Sequence, residues 1–353
     1  NYLISQNKFD EIKEIVNEID TLSSTLLVLQ LKNWADNTKF KKITEMFSCK
    51  NESDILSEFF FIIANLYSSQ EQYENSNLFL NIANFLNPKF RFNTSLIIEN
   101  NFGNENYKKT KVLLNKFNKK DEIYYWYKIK KITQIISQES NQEEAIKYIN
   151  SKFSKIENPS TKILFDMGNI AKGFKKYQSS INYYDSVISR IEKNSITYAD
   201  LLYRRGGSYE RLGKYEESDK DLLKSLEINK DDAYVLNYLA YSWLERDYKI
   251  DTAIEMLDKA YEQRSNDPYI IDSVGWGYYL INDFVNSEKF LKQALQLMPD
   301  DPIVNDHYGD VLWQMGRKIE AKYYWESVLT FKDTEDEMRK NIYIKLLKGP
   351  DKT

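Results

Sequence analysis

The sequence predicts an all-α protein built as a solenoid of repeated helix pairs, and three observations carry that prediction. A pattern of small and large apolar residues recurs every 34 or 35 residues, with clear copies starting at 199, 233, 268 and 302. Chain breakers are scarce, with 11 Gly and 6 Pro in 353 residues. That is less than half of the roughly 12% of an average composition, and it leaves little room for β-turns or long loops. Within each copy the apolar residues fall at helical spacing. The chain is also longer than one compact core can fill, so an extended array or two domains is expected.

The copy from Ala199 to Asp232 sets the register. With Ala199 as position 1, Leu202 stands at 4, Gly206 at 8, Gly213 at 15, Ser218 at 20, Leu222 at 24 and Ser225 at 27. Small residues at 8, 20 and 27 let two helices approach closely. Large apolar residues at 4, 7, 11 and 24 fill the space between neighbours. The copy from Ala233 carries Leu236, Ala240 and Trp243, then, after one inserted residue, Ala253, Leu257 and Ala260. The copy from Pro268 carries Gly275, Ser287, Leu291 and Ala294, and the copy from Pro302 carries Gly309, Gly316, Ala321 and Trp325. Upstream, Ser57–Phe90 and Thr161–Asn194 keep the register. Residues 24–53, 91–122 and 126–158 read as degenerate copies with Leu31, Ile98 and Thr133 at position 8, and residues 1–22 as one more second helix. The array then comprises about nine helix pairs and a closing helix near 336–348, polar on one face as a terminal cap requires. By regularity the chain divides into diverged repeats over 1–160, a regular array over 161–335 (starts near 161, 199, 233, 268 and 302), and a cap with tail over 336–353. The short stretches Lys155–Ser160 and Glu192–Thr197 are the candidate boundaries.

A period of 34 residues in two helices resembles the tetratricopeptide repeat. The resemblance implies an α-α superhelix that takes polypeptides on its concave face, lined by positions 2, 5, 9, 12 and 13 of the first helices. In the copy from Ala233 these include Tyr234, Asn237 and Tyr241; in the copy from Pro268, Tyr269, Asp272, Trp276 and Tyr279; in the copy from Pro302, Asp306, Asp310 and Trp313. Tyr and Trp at half-exposed positions are the residues enriched at binding hot spots. The alternative is that the rings pack along the inner helices of a tight superhelix. Members that clamp a partner's C-terminal carboxylate carry Lys, Arg and Asn at these places, so Asp272, Asp306 and Asp310 would repel such a group. Rings flanked by carboxylates suit an extended segment with apolar and basic side chains.

Residues from about 232 to 348 bear a narrower resemblance, through DAYVLNYLAYSWLERD, YIIDSVGWGYYL and HYGDVLWQMGRKIEAKYYWESVL. These stretches are similar to the C-terminal repeats of proteobacterial tetratricopeptide lipoproteins of the protease-adaptor type. The likeness implies a periplasmic or outer-membrane-associated adaptor that assembles a protease and presents its substrates, with cytoplasmic residence as the alternative. Any membrane attachment would come through an anchor upstream of Asn1.

Other functions find little support in the residues. One histidine, His307, and one cysteine, Cys49, leave triads and cysteine-based zinc sites without enough members. His307 reads as structural and Cys49 as a filler at a repeat end. No glycine-rich phosphate loop follows a strand, and Asp231-Asp232 and Asp300-Asp301 lack the alternation of a calcium loop, so neither cofactor nor metal is expected. Residues 199–335 hold 17 Lys+Arg against 27 Asp+Glu, a net −10, which argues against nucleic acid as partner. The remaining reading is a fixed subunit of a larger complex, signalled by large outward apolar patches. The identity of the partner and the oligomeric state stay open at this point.

Overall fold

Left-handed turn residues show directly where each helix pair folds over. The computed structural model describes residues 2–120 and 122–350, and every regular element among them is a helix; Asn1 and the tail at 351–353 lie outside the described residues. Thr38, Glu71, Glu105, Lys175, Gly213, Asp247, Asn282 and Gly316 all have positive φ. Each is position 15 of a copy, for starts at 24, 57, 91, 161, 199, 233, 268 and 302. After the left-handed residue the next amide bonds five residues back, as from Gln72 N to Tyr67 O (3.0 Å), Lys214 N to Tyr209 O (3.0 Å) and Arg317 N to Leu312 O (2.9 Å). This closes the carbonyls that a helix end leaves unpaired. The inserted residue in the copy from Ala233 is absorbed by a second left-handed residue, Lys249. Asn7 is also left-handed, so residues 2–17 form the end of one first helix, Tyr2–Ser5, and a second helix, Phe9–Asn17.

Position 8 faces position 24 of the same copy. A Cβ built on Gly275 would lie 2.6 Å from Leu291 Cγ, and one on Gly309 would run into the Trp325 indole. Leu291 and Trp325 are completely buried. In the copy from Ser57 the same contact is made by Ala64 and Leu80, both fully buried. The small residue therefore makes room for the large one, and the pair of helices closes on that contact.

Aspartates start the regular first helices. Asp232, Asp267 and Asp301 each accept two backbone amides through Oδ1, for Asp301 at 2.8 Å from Ile303 N and 3.0 Å from Val304 N. Pro268 and Pro302 follow at the first helical position, where a missing N–H costs nothing. The acidic pairs between repeats are thus helix caps.

The chain forms two compact units, Asn1–Lys176 and Tyr177–Thr353, so the division falls between the two helices of the 161–194 copy. The change in repeat regularity near residue 160 lies upstream of it. The C-terminal unit stacks helix pairs from Ile196–Glu210 to Lys318–Thr330 and ends in the helix Asp336–Lys348. In the N-terminal unit the helix Leu26–Asp36 packs against Glu122–Glu139. Leu26 reaches the cluster of Ile98, Leu114, Phe117, Tyr124, Tyr127 and Ile135. The Lys162 ammonium donates to the Leu22 carbonyl. That unit closes its first helices onto its last.

Candidate functional site

The ten candidate residues sit on three successive first helices, Ala233–Leu244, Pro268–Leu280 and Pro302–Gln314. The structure sorts them into a buried block and an exposed line. Asp272, Trp276 and Tyr279 are buried on the middle helix, and Asp310 on the last. Trp276 is only 8% exposed. It stacks on Tyr279 with centroids 4.6 Å apart and on His307 at 4.1 Å, and its Nε1 donates to Glu245 Oε1 at 2.6 Å. Tyr279 OH accepts from Gln314 Nε2 at 3.3 Å. These rings were expected at the surface of a groove. They pack along the inner helices instead, because the helices approach closely enough for one ring to fill the gap to the next.

The carboxylates are paired within the chain. His307 Nδ1 lies 3.0 Å from Asp272 Oδ1 and 3.1 Å from Oδ2. The closing helix supplies Lys345, whose ammonium donates to Asp306 Oδ1 at 2.6 Å and to Asp310 Oδ2 at 2.8 Å. Trp325 Nε1 donates to Asp310 Oδ1 at 3.2 Å. Burial disfavours the imidazolium of His307, but Asp272 and its hydrogen bond, then Asp306 and Asp310, outweigh it and hold the pKa above the ordinary histidine value. Burial pushes the Asp310 carboxyl up to about 6, with Lys345 pulling the other way and Asp306 adding to the rise. Burial likewise disfavours the Lys345 ammonium, and the two aspartates overcome this and raise its pKa. The expected row of free carboxylates awaiting a basic segment is therefore replaced by internal ion pairs.

Trp313 is half-buried. Gly349, left-handed at φ 84°, lies against its indole so closely that a Cβ would come within 2.6 Å of several ring atoms, and the Lys318 ammonium stands 4.8 Å over the ring. The exposed line consists of position 2 in consecutive copies: Tyr234 is 46%, Tyr269 63% and Ile303 53% exposed. Tyr234 OH reaches Asp267 Oδ2 at 3.2 Å and its ring lies under Arg264 at 5.4 Å. Asn237 and Tyr241 are half-buried beside this line, and Asn237 Oδ1 is buried without a protein partner. Burial, then Glu245 and Asp272, push the Tyr241 phenol well above its usual range.

Sequence reasoning missed Lys345 as a member of this block. Lys345 sits inside the apolar stripe Met338, Ile342 and Leu346 of the closing helix, which packs on the last core cluster. A lysine in such a stripe needs a buried anion, and that signal was present. Cys49, expected as a filler, is exposed. Among the described residues no group of three or more His, Cys, Asp or Glu is placed to hold a metal ion, and no helix is long and apolar enough to cross a membrane.

A shared turn at position 15, a small residue locked on a large one and a polar closing helix define an α-α repeat array. Residues 199–232 match the tetratricopeptide repeat, so the chain carries that repeat. It is similar to a tetratricopeptide-repeat-containing protein of Pseudomonas aeruginosa, 31% identical over 141 residues, which is 40% of this chain and 21% of the relative. The match thus spans about a fifth of that relative's length. Among solved structures it is similar to a thermophilic tetratricopeptide protein of Thermus thermophilus, 17% identical with a TM-score of 0.47, covering 53% of this chain and 100% of that one. It is also similar to MamA of Desulfovibrio magneticus, 15% identical with a TM-score of 0.41, covering 51% and 99%.

Proposed function

We propose that the chain is a non-enzymatic scaffold that holds polypeptide partners along the exposed line of its C-terminal unit. The observation that supports this is the run Tyr234, Tyr269 and Ile303, large side chains left in solvent at the same position of three consecutive copies. The rings deeper in the groove are occupied by the chain itself, so they shape the floor and the exposed line makes the contact. Tyrosine supplies large contact area at little conformational cost, which is why it recurs in hot spots. The resemblance of residues 232–348 to protease-adaptor lipoproteins supports the finer reading, in which the partner is a periplasmic protease with its substrates and the location is the periplasm or the outer membrane. Cytoplasmic residence is the alternative, and cell fractionation decides it.

The test selects peptides from a displayed random library on the full chain. Selected peptides are expected to lose at least tenfold in affinity on the double substitution Tyr234→Ala with Tyr269→Ala, with the unfolding midpoint unchanged. Failure to enrich any peptide, or equal binding by the double variant, overturns the reading.

A second reading, a fixed subunit of a larger complex, is favoured by the helix Glu52–Ser69. Ile55, Phe59, Ile62 and Leu66 lie along one face of it and are all exposed. Their spacing of three and four residues makes one continuous apolar stripe. Sedimentation of the full chain against Phe59→Asp separates a self-assembly surface from an idle one.

A further inference from the structure

The N-terminal unit holds a half-open cavity of about 1070 Å³ between the helix Leu26–Asp36 and the helices Glu122–Glu139 and Thr161–Gly173. It exists because the first helices fold back onto the last: Leu26, Leu29, Asn33 and Asp36, spaced by three and four residues, turn one face of their helix toward it. Among the described residues six lysines line it, Lys32, Lys119, Lys130, Lys152, Lys155 and Lys162, against three carboxylates, Asp36, Glu99 and Asp166. The balance is more positive than that count. Glu99 is taken from behind by Lys131, at 2.7 Å, and by Tyr127 OH, at 2.6 Å.

Asp166 is the focus of the charged end. Its Oδ2 accepts from Trp126 Nε1 at 2.8 Å and pairs with Lys130 at 2.8 Å, while Oδ1 pairs with Lys162 at 3.3 Å. Two ammonium groups thus share one buried carboxylate. Burial lowers the pKa of Lys162 despite the attraction of Asp166 and the more distant Asp20. A second anion placed here would relieve that cost, since a buried charge is stabilised chiefly by an opposite one. Away from this end the lining is mainly apolar, with Leu29, Phe61, Phe92, Ile123 and Ile163, interrupted by Asn33, Asn65 and Ser95.

We propose that this cavity binds an anionic amphiphile, a carboxylate or phosphate on an aliphatic or aromatic body, with the acid between Lys130, Lys162 and Lys155 and the body against the apolar wall. The volume stands at the upper end of the range for small-molecule sites, roughly 300–1,000 Å³. This site is separate from the exposed line of the C-terminal unit and does not depend on it.

The test is titration calorimetry on the full chain below the micelle concentration, with dodecanoate, dodecyl phosphate, dodecyltrimethylammonium, inorganic phosphate and a glutamate-rich decapeptide. Dodecanoate and dodecyl phosphate are expected to bind one per chain, and the ammonium at least tenfold more weakly. Because Lys130 and Lys162 also hold Asp166, the variant is Lys152→Gln with Lys155→Gln, partly or fully exposed side chains whose loss should weaken the anions about tenfold without moving the unfolding midpoint. Leu29→Glu should abolish binding of the amphiphiles. Equal binding of cation and anion, phosphate alone binding as tightly as dodecyl phosphate, tighter binding of the peptide, or wild-type affinity in the lysine variant each overturns the proposal. Carboxylate-only or phosphate-only binding supports it and names the headgroup.

Discussion

Replacing Lys345 by Met removes the single cation that the closing helix offers to two aspartates. The side chain keeps its length, so the apolar packing of Met338, Ile342 and Leu346 is retained. What changes is that the buried Asp310 and the half-buried Asp306 beside it lose their cation, and breaking such a buried pair costs about 3–5 kcal/mol. Protonation sets a ceiling on that cost. Asp310 can take up a proton, and doing so at pH 7 from an unfolded carboxyl near 3.8 costs about 1.36 × (7 − 3.8), roughly 4 kcal/mol. The same step at pH 5 costs only about 1.6 kcal/mol. Moreover, a carboxyl already pushed up to about 6 is largely protonated at pH 5 in the wild type. The expected loss is therefore about 3–4 kcal/mol at pH 7 and no more than about 1.6 kcal/mol at pH 5. Urea unfolding followed by tryptophan fluorescence measures both, since Trp313 and Trp325 lie 5.4 Å apart beside the pair. An equal loss at the two pH values, or less than about 1 kcal/mol at pH 7, refutes the assignment of Lys345 as the buried counter-ion.

Three further outcomes follow from the same coordinates. Trp325→Ala and Leu291→Ala each empty a position 24 that is completely buried and should cost about 3–5 kcal/mol in chemical unfolding; wild-type stability in both would mean the repeat register is wrong. Gly309→Ala should cost about 2 kcal/mol or more, because its Cβ meets the Trp325 indole, whereas Gly213→Ala meets nothing within 4 Å and should cost only about 1 kcal/mol for its left-handed φ of 71°. His307 has a raised pKa in the folded state, so its contribution is complete below the unfolded value near 6.5 and is lost as pH rises through the folded one. The urea midpoint should fall from pH 6.5 upward in the wild type, and His307→Gln should flatten that slope; an unchanged slope removes Asp272–His307 from the account.

The repeat was legible because its period rests on contacts that permit few residues. Gly275 and Gly309 admit no Cβ against Leu291 and Trp325, so position 8 shows in the sequence of those copies, whereas the copy from 91 sets Ile98 there with Leu114 at position 24, both fully buried. The left-handed turn was less legible. Gly213 and Gly316 announce it, but Glu71, Glu105 and Lys175 adopt the same conformation with side chains that carry no such signal. The 126–158 copy shows the limit. Its first helix, Glu122–Glu139, ends at the same place as the others, but Ser140 at position 15 is not left-handed and Asn141 caps the next helix. The closure of the N-terminal unit was not legible at all, because it depends on Leu26 and Lys162 meeting partners more than ninety residues away.

The site failed in one part for a reason that the last repeat makes plain. Positions 5, 9 and 12 of a first helix face the groove only where the neighbouring copies leave the groove open. Trp276 at position 9 instead finds His307, position 6 of the next copy, 4.1 Å away, so a ring on one repeat is covered by the repeat that follows. Among the described residues no further copy follows the one from Pro302 to cover Asp306, Asp310 and Trp313. The closing helix takes that role, with Lys345 set against the acids and Gly349 against the indole. A cap that neutralises and covers the final inner face leaves position 2, nearest the helix start and farthest from the cover, as the place where large side chains stay in solvent. That is why Tyr234, Tyr269 and Ile303, rather than the two tryptophans, are where substitutions should separate partner binding from stability.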